Sequence, residues 1–471
     1  MSSFNQHSNG AATIQMRTGA WYGDSQLEIP VPNNWDVSVL NPQTPPPLTD
    51  AQILQALLNP YGYDSFADIC EGKSRPLLIV DDLNRPTPVD RIMPFLLSCF
   101  EAHGIPAEDI TIILATGTHG TPPAGSIEKK VGKEAAAKCR LVVHDCFKDV
   151  KKIAKTDFGT PVFVNKALLD CDLVIGIGGI YPNHTAGFGG GTKLALGILG
   201  IRSIYHLHFR HKTAGWGNGN LHNGFRQELN KVAEIIGLKT NIAMHIDAGR
   251  NVIQLYCGKF QEYFNEAVDY YCKIYQLPFD NSADVVISNT YPNDLSLLFA
   301  RTKGFIPFHG LAPDVSRIAI AACPEGVGLH NIFPFVNIPR FFKLRHTMLR
   351  LSVMSAGEFF VKGKAAIKKI YRRLKSKIIP TSGATGSSVK TNPVWLFQSA
   401  PDENPLPASI PGIHVRRYWS DILNAVENEQ GKRTRLKVLV YPCAFLQFYD
   451  KNSNEDHRDK STREGIVQKS H

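Results

Sequence analysis

The chain has 471 residues, a length typical of two or three domains. Hydrophobic residues make up 43% and charged residues 20%, proportions that indicate a folded globular protein and exclude a disordered one. The first sixteen residues lack an apolar signal segment, and no stretch reaches the ~20 apolar residues of a membrane span. We therefore expect a cytoplasmic protein, in which the nine scattered cysteines are thiols.

The net charge of 52 − 42 = +10 is concentrated in one segment, residues 340–378. Twelve lysines and arginines lie there against one acid, Glu358, and apolar residues are interspersed among them. The rest of the chain is close to neutral, so its charge requires no nucleic-acid partner. Two interpretations stay open, a solvated helical face on an insertion or contact with an anionic lipid surface or acidic partner.

The first half of the chain alternates helical and buried-strand patterns. A helix is predicted over Asp50–Leu58, with Asp50 as its N-cap, and another over Val89–His103. Strands are predicted at Leu77–Val80, Ile110–Leu114, Leu141–His144 and Leu173–Ile177. The wholly apolar Leu77–Val80 is typical of a strand buried on both faces. This alternation predicts an α/β fold with largely parallel sheets.

A second, smaller α/β unit is predicted after a connecting helix. The strand patterns are Asp284–Ser288, Arg317–Ala322 and Lys437–Tyr441, and helical patterns cover Phe225–Ile236, Phe260–Tyr275 and Leu295–Lys303. We predict a first domain over 1–260, a connecting helix over 261–282, a second domain over 283–450 that includes the basic insertion, and a polar tail over 451–471.

Polar or histidine-bearing loops follow three strands of the first domain. Asp82 and Arg85 follow the first strand, His119 follows the second and His184 follows the fourth. Functional groups of open α/β sheets gather at the carboxyl ends of strands. Each residue alone has a structural explanation, such as a helix cap or a buried turn, but their recurrence at equivalent positions favours a shared site.

The segment from His184 to Lys193 is rich in glycine, with Gly189, Gly190 and Gly191 in succession. Such a run lets backbone N–H groups approach an anion closely. It matches neither the Walker loop nor the dinucleotide-binding G-x-G-x-x-G pattern. Lys193 is then a candidate covalent tether or Schiff-base former, or a simple phosphate contact.

Three histidines follow, His206, His208 and His211. In an extended segment the first two point to opposite faces, so only one of them faces a given site. The spacings typical of zinc ligands are absent.

Taken together, these motifs resemble those of the nickel-dependent lactate racemase family. The resemblance rests on Asp82-x-Asn-Arg-Pro86, Ala115-Thr-Gly-Thr-His119, Ala186-Gly-Phe-Gly-Gly-Gly-Thr-Lys193 and His208, in that order. It extends from about residue 15 to about 330. It implies two α/β domains with the active site in the cleft between them.

The resemblance also implies a cofactor, a nickel-pincer nucleotide tethered to a lysine. By position Lys193 would carry it, the glycines would surround it and His208 would bind the nickel. Asp82 and Arg85 would hold cofactor phosphate or substrate carboxylate. Separate biosynthetic proteins would be needed to make the cofactor.

The activity implied is inversion of a 2-hydroxy acid through hydride transfer, because the carboxylate opposes removal of the α-proton. Two histidines would serve the two enantiomers as acid and base, and His119 matches one of them. The second would be His184 or, at the family's position, Asn183.

Phe299 and Lys303 would contact the substrate. Because Phe299 departs from the family pattern, a 2-hydroxy acid that is bulkier or more apolar than lactate fits the sequence as well as lactate does. Alternative functions are a different hydride-shuttling enzyme with the same cofactor, a non-catalytic binder of a phosphorylated nucleotide and a nicotinamide-dependent dehydrogenase.

Overall fold

The computed structural model describes residues 12–215, 219–278, 280–332, 391–402, 404–431 and 433–449. The basic segment 340–378 and the polar tail 451–471 lie outside these ranges, so the predictions made for them stay predictions. In the described part of the chain, no helix combines the length and the apolar character that crossing a membrane requires.

Strands and helices alternate along most of the chain. The strands are β1 Ala12–Thr18, β2 Ser25–Val31, β3 Trp35–Val39, β4 Pro76–Asp81, β5 Thr111–Ala115, β6 Arg140–Val143, β7 Val150–Lys155, β8 Pro161–Asn165, β9 Leu173–Gly179, β10 Pro182–Asn183, β11 Gly187–Phe188, β12 Leu238–Ile246, β13 Val252–Lys259, β14 Gln276–Leu277, β15 Val285–Asn289, β16 Ser316–Ala321, β17 Val394–Gln398, β18 Ser409–Ile410, β19 Ile413–Arg416, β20 Leu436–Tyr441 and β21 Phe448–Tyr449.

The α-helices are α1 Asp50–Leu58, α2 Phe66–Cys70, α3 Met93–Ala102, α4 Ser126–Val131, α5 Lys133–Lys138, α6 Ile201–Arg210, α7 Gly224–Ile235, α8 Phe260–Tyr275, α9 Leu297–Phe299 and α10 Trp419–Gln430. Short 3₁₀ helices span Val89–Arg91, Ala107–Asp109, Lys166–Asp170, Gly191–Ile198 and Ile306–Phe308, and a π-helical turn spans Ala300–Gly304.

Two largely parallel sheets organise the molecule, as the sequence predicts. The first sheet has the order β13-β12-β9-β4-β5-β6, and only its β12–β13 pair is antiparallel. The second sheet has the order β18-β19-β17-β16-β15-β20-β3, and only its β18–β19 pair is antiparallel. The predicted α/β fold class is confirmed.

Strand β4 illustrates why a continuous apolar run forms a central strand. Leu77 and Ile79 pack into the core on one face of the first sheet, while Leu78 and Val80 pack into the core on the other. All four side chains are fully buried, because helices cover both faces. The strand therefore has no position that faces solvent, and its sequence shows no alternation of polar and apolar residues.

Three local predictions need correction. Thr49, rather than Asp50, caps α1, because its hydroxyl accepts from the backbone N–H of Gln52 in a capping box. The predicted helix over Val89–His103 begins as a 3₁₀ turn, and α3 starts at Met93 with Pro94 in its first turn, where no N–H is required. The predicted helix over Leu295–Lys303 is the short α9 followed by the π-helical turn.

Strand β3, near the N-terminus, belongs to the second sheet and not to the first. Strand β3 pairs in parallel with β20 at the edge of the second sheet, from Trp35 opposite Leu436 to Val39 opposite Val440. The assignment of all residues 1–260 to the first domain is therefore wrong for this strand, whose pairing depends on residues some 400 positions away. The other domain boundaries stay predictions.

Two features join the units that surround the two sheets. Helix α8 packs in an aromatic core with side chains near both sheets, and its Tyr271 hydroxyl donates to the carbonyl of Leu446 over 2.6 Å. The fully buried carboxylate of Asp294 accepts from the backbone N–H groups of Gly19 and Ala20 over 2.8 and 3.1 Å. The two hydrogen bonds to Asp294 fix the turn after β1.

We predict that Asp294→Ala destabilises the protein, because the N–H groups of Gly19 and Ala20 would lose their acceptor. Each buried donor left unpaired costs about 1–3 kcal/mol, so the free energy of unfolding should fall by about 2–6 kcal/mol in urea titrations. The control is Asp269→Ala, which removes an exposed carboxylate of α8 and should change little. Equal stability of the two variants would contradict this role for Asp294.

Candidate active site

A cavity of about 530 Å³ lies where the carboxyl ends of β4, β5 and β9 face the second sheet's unit. The loops after these strands form one wall, and residues between β15 and β16 form much of the other. This cavity lies in the cleft between the two α/β units, where the sequence predicts the active site.

Nearly all the side chains and glycines singled out from the sequence line this cavity: Asp82, Arg85, His119, His184, Gly189, Gly190, Lys193, His208, Phe299 and Lys303. Gly191 instead packs away from the wall, where a Cβ atom would come within 3.2 Å of the Phe264 ring. Its φ of +55° favours glycine. Residues more than 200 positions apart in sequence thus share one site.

Asp82 orients His119. The Nδ1 atom of His119 lies 2.7 Å from Oδ2 of the buried Asp82, so the ring donates from Nδ1 and keeps Nε2 as its basic nitrogen. Burial alone would raise the pKa of the Asp82 carboxyl, but the charge and hydrogen bond of His119, with help from Arg85, lower it below its usual value. The pair is an oriented base beside the cavity.

Lys130 organises the loop that carries Asp82 and Arg85. Its fully buried ammonium lies 2.6 Å from Oδ1 of Asp81 and donates to the carbonyl of Arg85 over 2.9 Å. The other oxygen of Asp81 accepts from Thr87 and from the backbone N–H of Gly179 over 2.8 and 3.1 Å. The end of β4 is thereby tied to the end of β9.

His184 lies in the tight connection between β10 and β11. The side-chain oxygen of Asn183 accepts from the backbone N–H groups of Thr185 and Ala186 over 3.0 Å each and from the Thr185 hydroxyl over 2.6 Å. The Asn183 oxygen is therefore used to shape the turn. Burial, reinforced by Lys303 and Lys193, lowers the pKa of His184 to about 3, so its ring is neutral.

Lys193 lies at the cavity wall in the first turn of the 3₁₀ helix Gly191–Ile198. Burial and the charges of Arg85 and Arg226 lower its pKa to about 7. Close packing here depends on Gly190, whose φ is +74° and where a Cβ atom would approach Ile180 to 2.9 Å. A substantial fraction of the Lys193 amine is therefore neutral, and nucleophilic, near pH 7.

The histidine cluster is helical, which corrects the extended geometry assumed from the sequence. His206 and His208 both belong to α6, and two positions along a helix differ by about 200°, so they still face different ways. His208 lines the cavity, and its Nδ1 donates to the carbonyl of Ile204 over 2.8 Å. The Nδ1 of His206 instead lies 2.9 Å from the hydroxyl of Thr160.

The tautomer of His208 follows from that hydrogen bond. A carbonyl oxygen can only accept, so Nδ1 holds the proton and Nε2 holds the lone pair. Burial lowers the pKa of His208 to about 4, which keeps the ring neutral. Neutral imidazole with one nitrogen fixed by a backbone carbonyl is the usual form of a metal-binding histidine.

Basic side chains outnumber acidic ones at the cavity wall. In the described part of the chain, Arg85, Lys193 and Lys303 form no ion pair with an acid, whereas the carboxylates of Asp81 and Asp82 are paired. Lys303, in the π-helical turn, donates to the carbonyl of Pro182, and burial together with the other two cations lowers its pKa well below the usual value. An anionic ligand fits this wall.

Sequence reasoning missed three residues of the site. Lys130 reads as an ordinary helix lysine, and Asn293 and His330, both of which line the cavity, have no motif spacing that separates them from other polar residues. The polar Tyr291-Pro-Asn-Asp294 run directly after β15 was a usable signal for Asn293, because functional groups gather at the carboxyl ends of parallel strands.

The comparison with known proteins agrees with the motif order. Residues 22–217 match the family model of the lactate racemase N-terminal domain. This match covers less than half of the chain and assigns its N-terminal part to the lactate racemase N-terminal domain. The lactate racemase of Thermoanaerobacterium thermosaccharolyticum is 26% identical to it over 320 residues, which cover 65% of this chain and 74% of that protein.

Lactate racemase also supplies a structural match. Its apoprotein from the same organism superposes with a TM-score of 0.64 at 18% identity, over 93% of this chain and 100% of that chain. A protein from Thermotoga maritima superposes with a TM-score of 0.53 at 16% identity, over 87% and 99% of the two chains. At these identities the two matches describe the fold.

We predict that Lys193 reacts with amine-acylating reagents as a neutral amine down to near pH 7. Its lowered pKa means that reactivity is lost as the pH falls through about 7, whereas an ordinary lysine loses it near 10.4. Competitive acetylation followed by peptide mass spectrometry measures this profile, with the exposed Lys138 as internal control. A Lys193 profile that coincides with that of Lys138 would contradict the prediction.

Proposed function

We propose that the protein is a racemase or epimerase that interconverts the enantiomers of a 2-hydroxy acid, with a nickel-pincer nucleotide tethered to Lys193 as cofactor. The observation that carries the proposal is that His119 and His184, which are held by different loops, line one cavity. Arg85 and Lys303 line the same cavity. The similarity to lactate racemase supports racemase chemistry, and the choice of substrate is inferred from the site.

Inversion at C2 requires a base on each side of the substrate. His119 is held from the β4 and β5 loops through Asp82, and His184 is held from the hairpin after β9. Both rings line the same cavity, so one can take the hydroxyl proton of the first enantiomer while the other donates a proton to the oxygen as the second enantiomer forms, and the roles exchange in the reverse direction. Asn183 is less suited to this role, because its oxygen is committed to the turn.

The cations supply the substrate's anchor. Arg85 can bind a carboxylate with two parallel hydrogen bonds, and Lys303 adds a basic amine from the opposite wall, whose protonated form a bound anion would favour. Because both are buried or half-buried and lack acidic partners among the described residues, an anion that binds them gains more than it would at an exposed lysine. Binding of the carboxylate there would direct C2 and its hydroxyl group towards the two histidines.

The residues present fit the implied cofactor. Lys193 offers an amine that is partly neutral at pH 7, and His208 offers a neutral ring with its Nε2 lone pair fixed by the Ile204 contact. Lys193 would hold the nucleotide and His208 would bind its nickel. When bound, the group would supply the acceptor for the hydrogen of C2.

The Asp82–His119 pair favours an enzyme over a simple nucleotide binder. A binder needs cations and N–H groups for phosphate, whereas an oriented base is the arrangement required for proton transfer. Burial of the Asp82 carboxylate is costly unless it is paired, and the pairing fixes a ring nitrogen at the cavity.

We predict that His119→Ala and His184→Ala each lower the rate of racemisation by about 10²–10⁴-fold, the usual contribution of a general acid or base. Protein produced together with the cofactor-biosynthesis proteins is assayed by chiral chromatography on 2-hydroxy acids, and its nickel content should not change. Asn183→Ala is the matched control, and it should retain more activity than His184→Ala.

Label retention tests the chemistry behind this prediction. With a substrate deuterated at C2, the hydrogen should return to carbon, so the product keeps much of its deuterium. Rapid exchange of the label with water, with no 2-keto acid formed, would indicate proton abstraction and overturn the mechanism. An active His184→Ala enzyme and an inactive Asn183→Ala enzyme would transfer the second role to Asn183.

We predict that His208→Ala loses bound nickel, whereas His206→Ala keeps it. His208 faces the cavity from α6, while His206 lies against Thr160 on another side of the helix. Metal analysis of both variants, produced with the biosynthetic proteins, measures the difference. Loss of nickel from His206→Ala alone would show that the other histidine is the ligand.

A further inference from the structure

A segment from the second unit closes the cavity beside His119. It leaves β16 and reaches the first unit, where the backbone N–H of Asn331 donates to the carbonyl of Thr118 over 2.8 Å. The Asn331 side chain donates to the same carbonyl over 3.2 Å, and Ile332 is buried in the core of the first unit. We call residues 322–332 the strap.

The strap places His330 over His119 at the cavity wall. The two ring centroids are 5.4 Å apart, and the Phe299 ring lies 4.7 Å from His119 and 6.3 Å from His330. The three rings therefore surround one corner of the cavity. Since His119 is a candidate base for the substrate hydroxyl group, this corner receives the atoms next to C2.

The hydrogen bonding of His330 fixes it as a donor. The backbone N–H of Ile332 donates to its Nδ1 over 3.2 Å, so Nδ1 holds the lone pair and Nε2 holds the proton. Burial first, and then the neighbouring basic groups, lower the pKa of His330 well below its usual value, which keeps the ring neutral. A neutral Nε2–H can donate to an oxygen atom without adding charge.

Asn293 adds a second polar group to the same wall. Its side chain is 1% exposed, and within the described residues neither its amide oxygen nor its amide nitrogen has a hydrogen-bond partner. A buried amide group without hydrogen-bond partners is destabilising. A bound molecule that both accepts and donates hydrogen bonds would remove this cost, and a hydroxyl group does so.

His330 and Asn293 provide more hydrogen-bonding groups than a 2-hydroxy acid with an alkyl chain can use. In the proposed function, Arg85 and Lys303 take the carboxylate, and His119 and His184 take the 2-hydroxyl group. With those groups engaged, the remaining substituent of C2 would face the wall that carries His330 and Asn293. That wall offers a donor and an amide group in addition to the Phe299 ring.

We propose that His330 and Asn293 bind a hydroxyl group on C3, so that the preferred substrates are 2,3-dihydroxy acids rather than 2-hydroxy acids with an unsubstituted alkyl chain. The inference rests on the proposed function and names the substrate class of that same site. It makes His330 and Asn293 specificity-determining residues that contact the substrate.

The test compares glycerate with lactate, which differ only by the oxygen atom on C3. Cofactor-loaded enzyme should racemise glycerate with a kcat/KM at least about tenfold above that for lactate, the effect of one well-made hydrogen bond. His330→Leu and Asn293→Leu should each lower this ratio by about tenfold, mainly through the KM for glycerate. His330→Gln keeps an N–H donor and should preserve more of the ratio.

Leu329→Ala is the matched control, because Leu329 belongs to the strap and its side chain is 50% exposed. A change in strap position would alter both rates together and leave the ratio as in the wild type. Circular dichroism and thermal midpoints check that the variants are folded. If His330→Leu is unfolded, His330→Gln and Asn293→Leu still carry the test.

A third acid, 3-phenyllactate, is assayed in the same way, and each outcome is decisive. A wild-type preference for lactate or for 3-phenyllactate would overturn the inference and leave the proposed function standing, as would a ratio unchanged in both His330→Leu and Asn293→Leu. Failure of the loaded enzyme to racemise any of the three acids would overturn the proposed function, and the inference with it. A preference for glycerate that both substitutions reduce would support both.

Discussion

The site depends on the buried ion pair between Lys130 and Asp81, which lie 2.6 Å apart. A charge buried without a partner is costly, so neither residue can be lost alone without a large penalty, typically about 3–5 kcal/mol. Lys130 also donates to the carbonyl of Arg85, and Asp81 also accepts from the N–H of Gly179. One pair therefore fixes the loop that carries Asp82 and Arg85 and joins it to the neighbouring strand.

Burial of positive charge sets the chemistry of the cavity. The same desolvation lowers the pKa of His184 to about 3, of His208 to about 4 and of Lys193 to about 7. Both histidine rings are thus neutral, the form that a general base or a metal ligand requires, and the lysine is a potential nucleophile. The cations Arg85 and Lys303 have no acidic partner in the described residues, which leaves the site complementary to an anion.

The second unit supplies the side chains that complete the wall of the cavity. The carboxyl ends of β4, β5 and β9 bring most of the polar groups to one edge, as open parallel sheets commonly do. The π-helical turn supplies Lys303, and the strap adds His330 and is anchored on Thr118. Contacts that join the two units therefore help to determine both the shape of the cavity and its donors.

The sequence by itself determined the fold class and most of the chemical groups, because buried parallel strands are apolar throughout and glycine-rich or histidine-bearing loops follow them. Only the tertiary structure decided that β3 belongs to the second sheet, that Asn183 shapes a turn beside His184, and that Lys130 and His330 reach the site. Local patterns report which residues repeat within a few positions of each other. They do not report strand pairings between residues some 400 positions apart. Nor do they report whether the side chain of an asparagine or a histidine hydrogen-bonds to nearby backbone or faces a cavity.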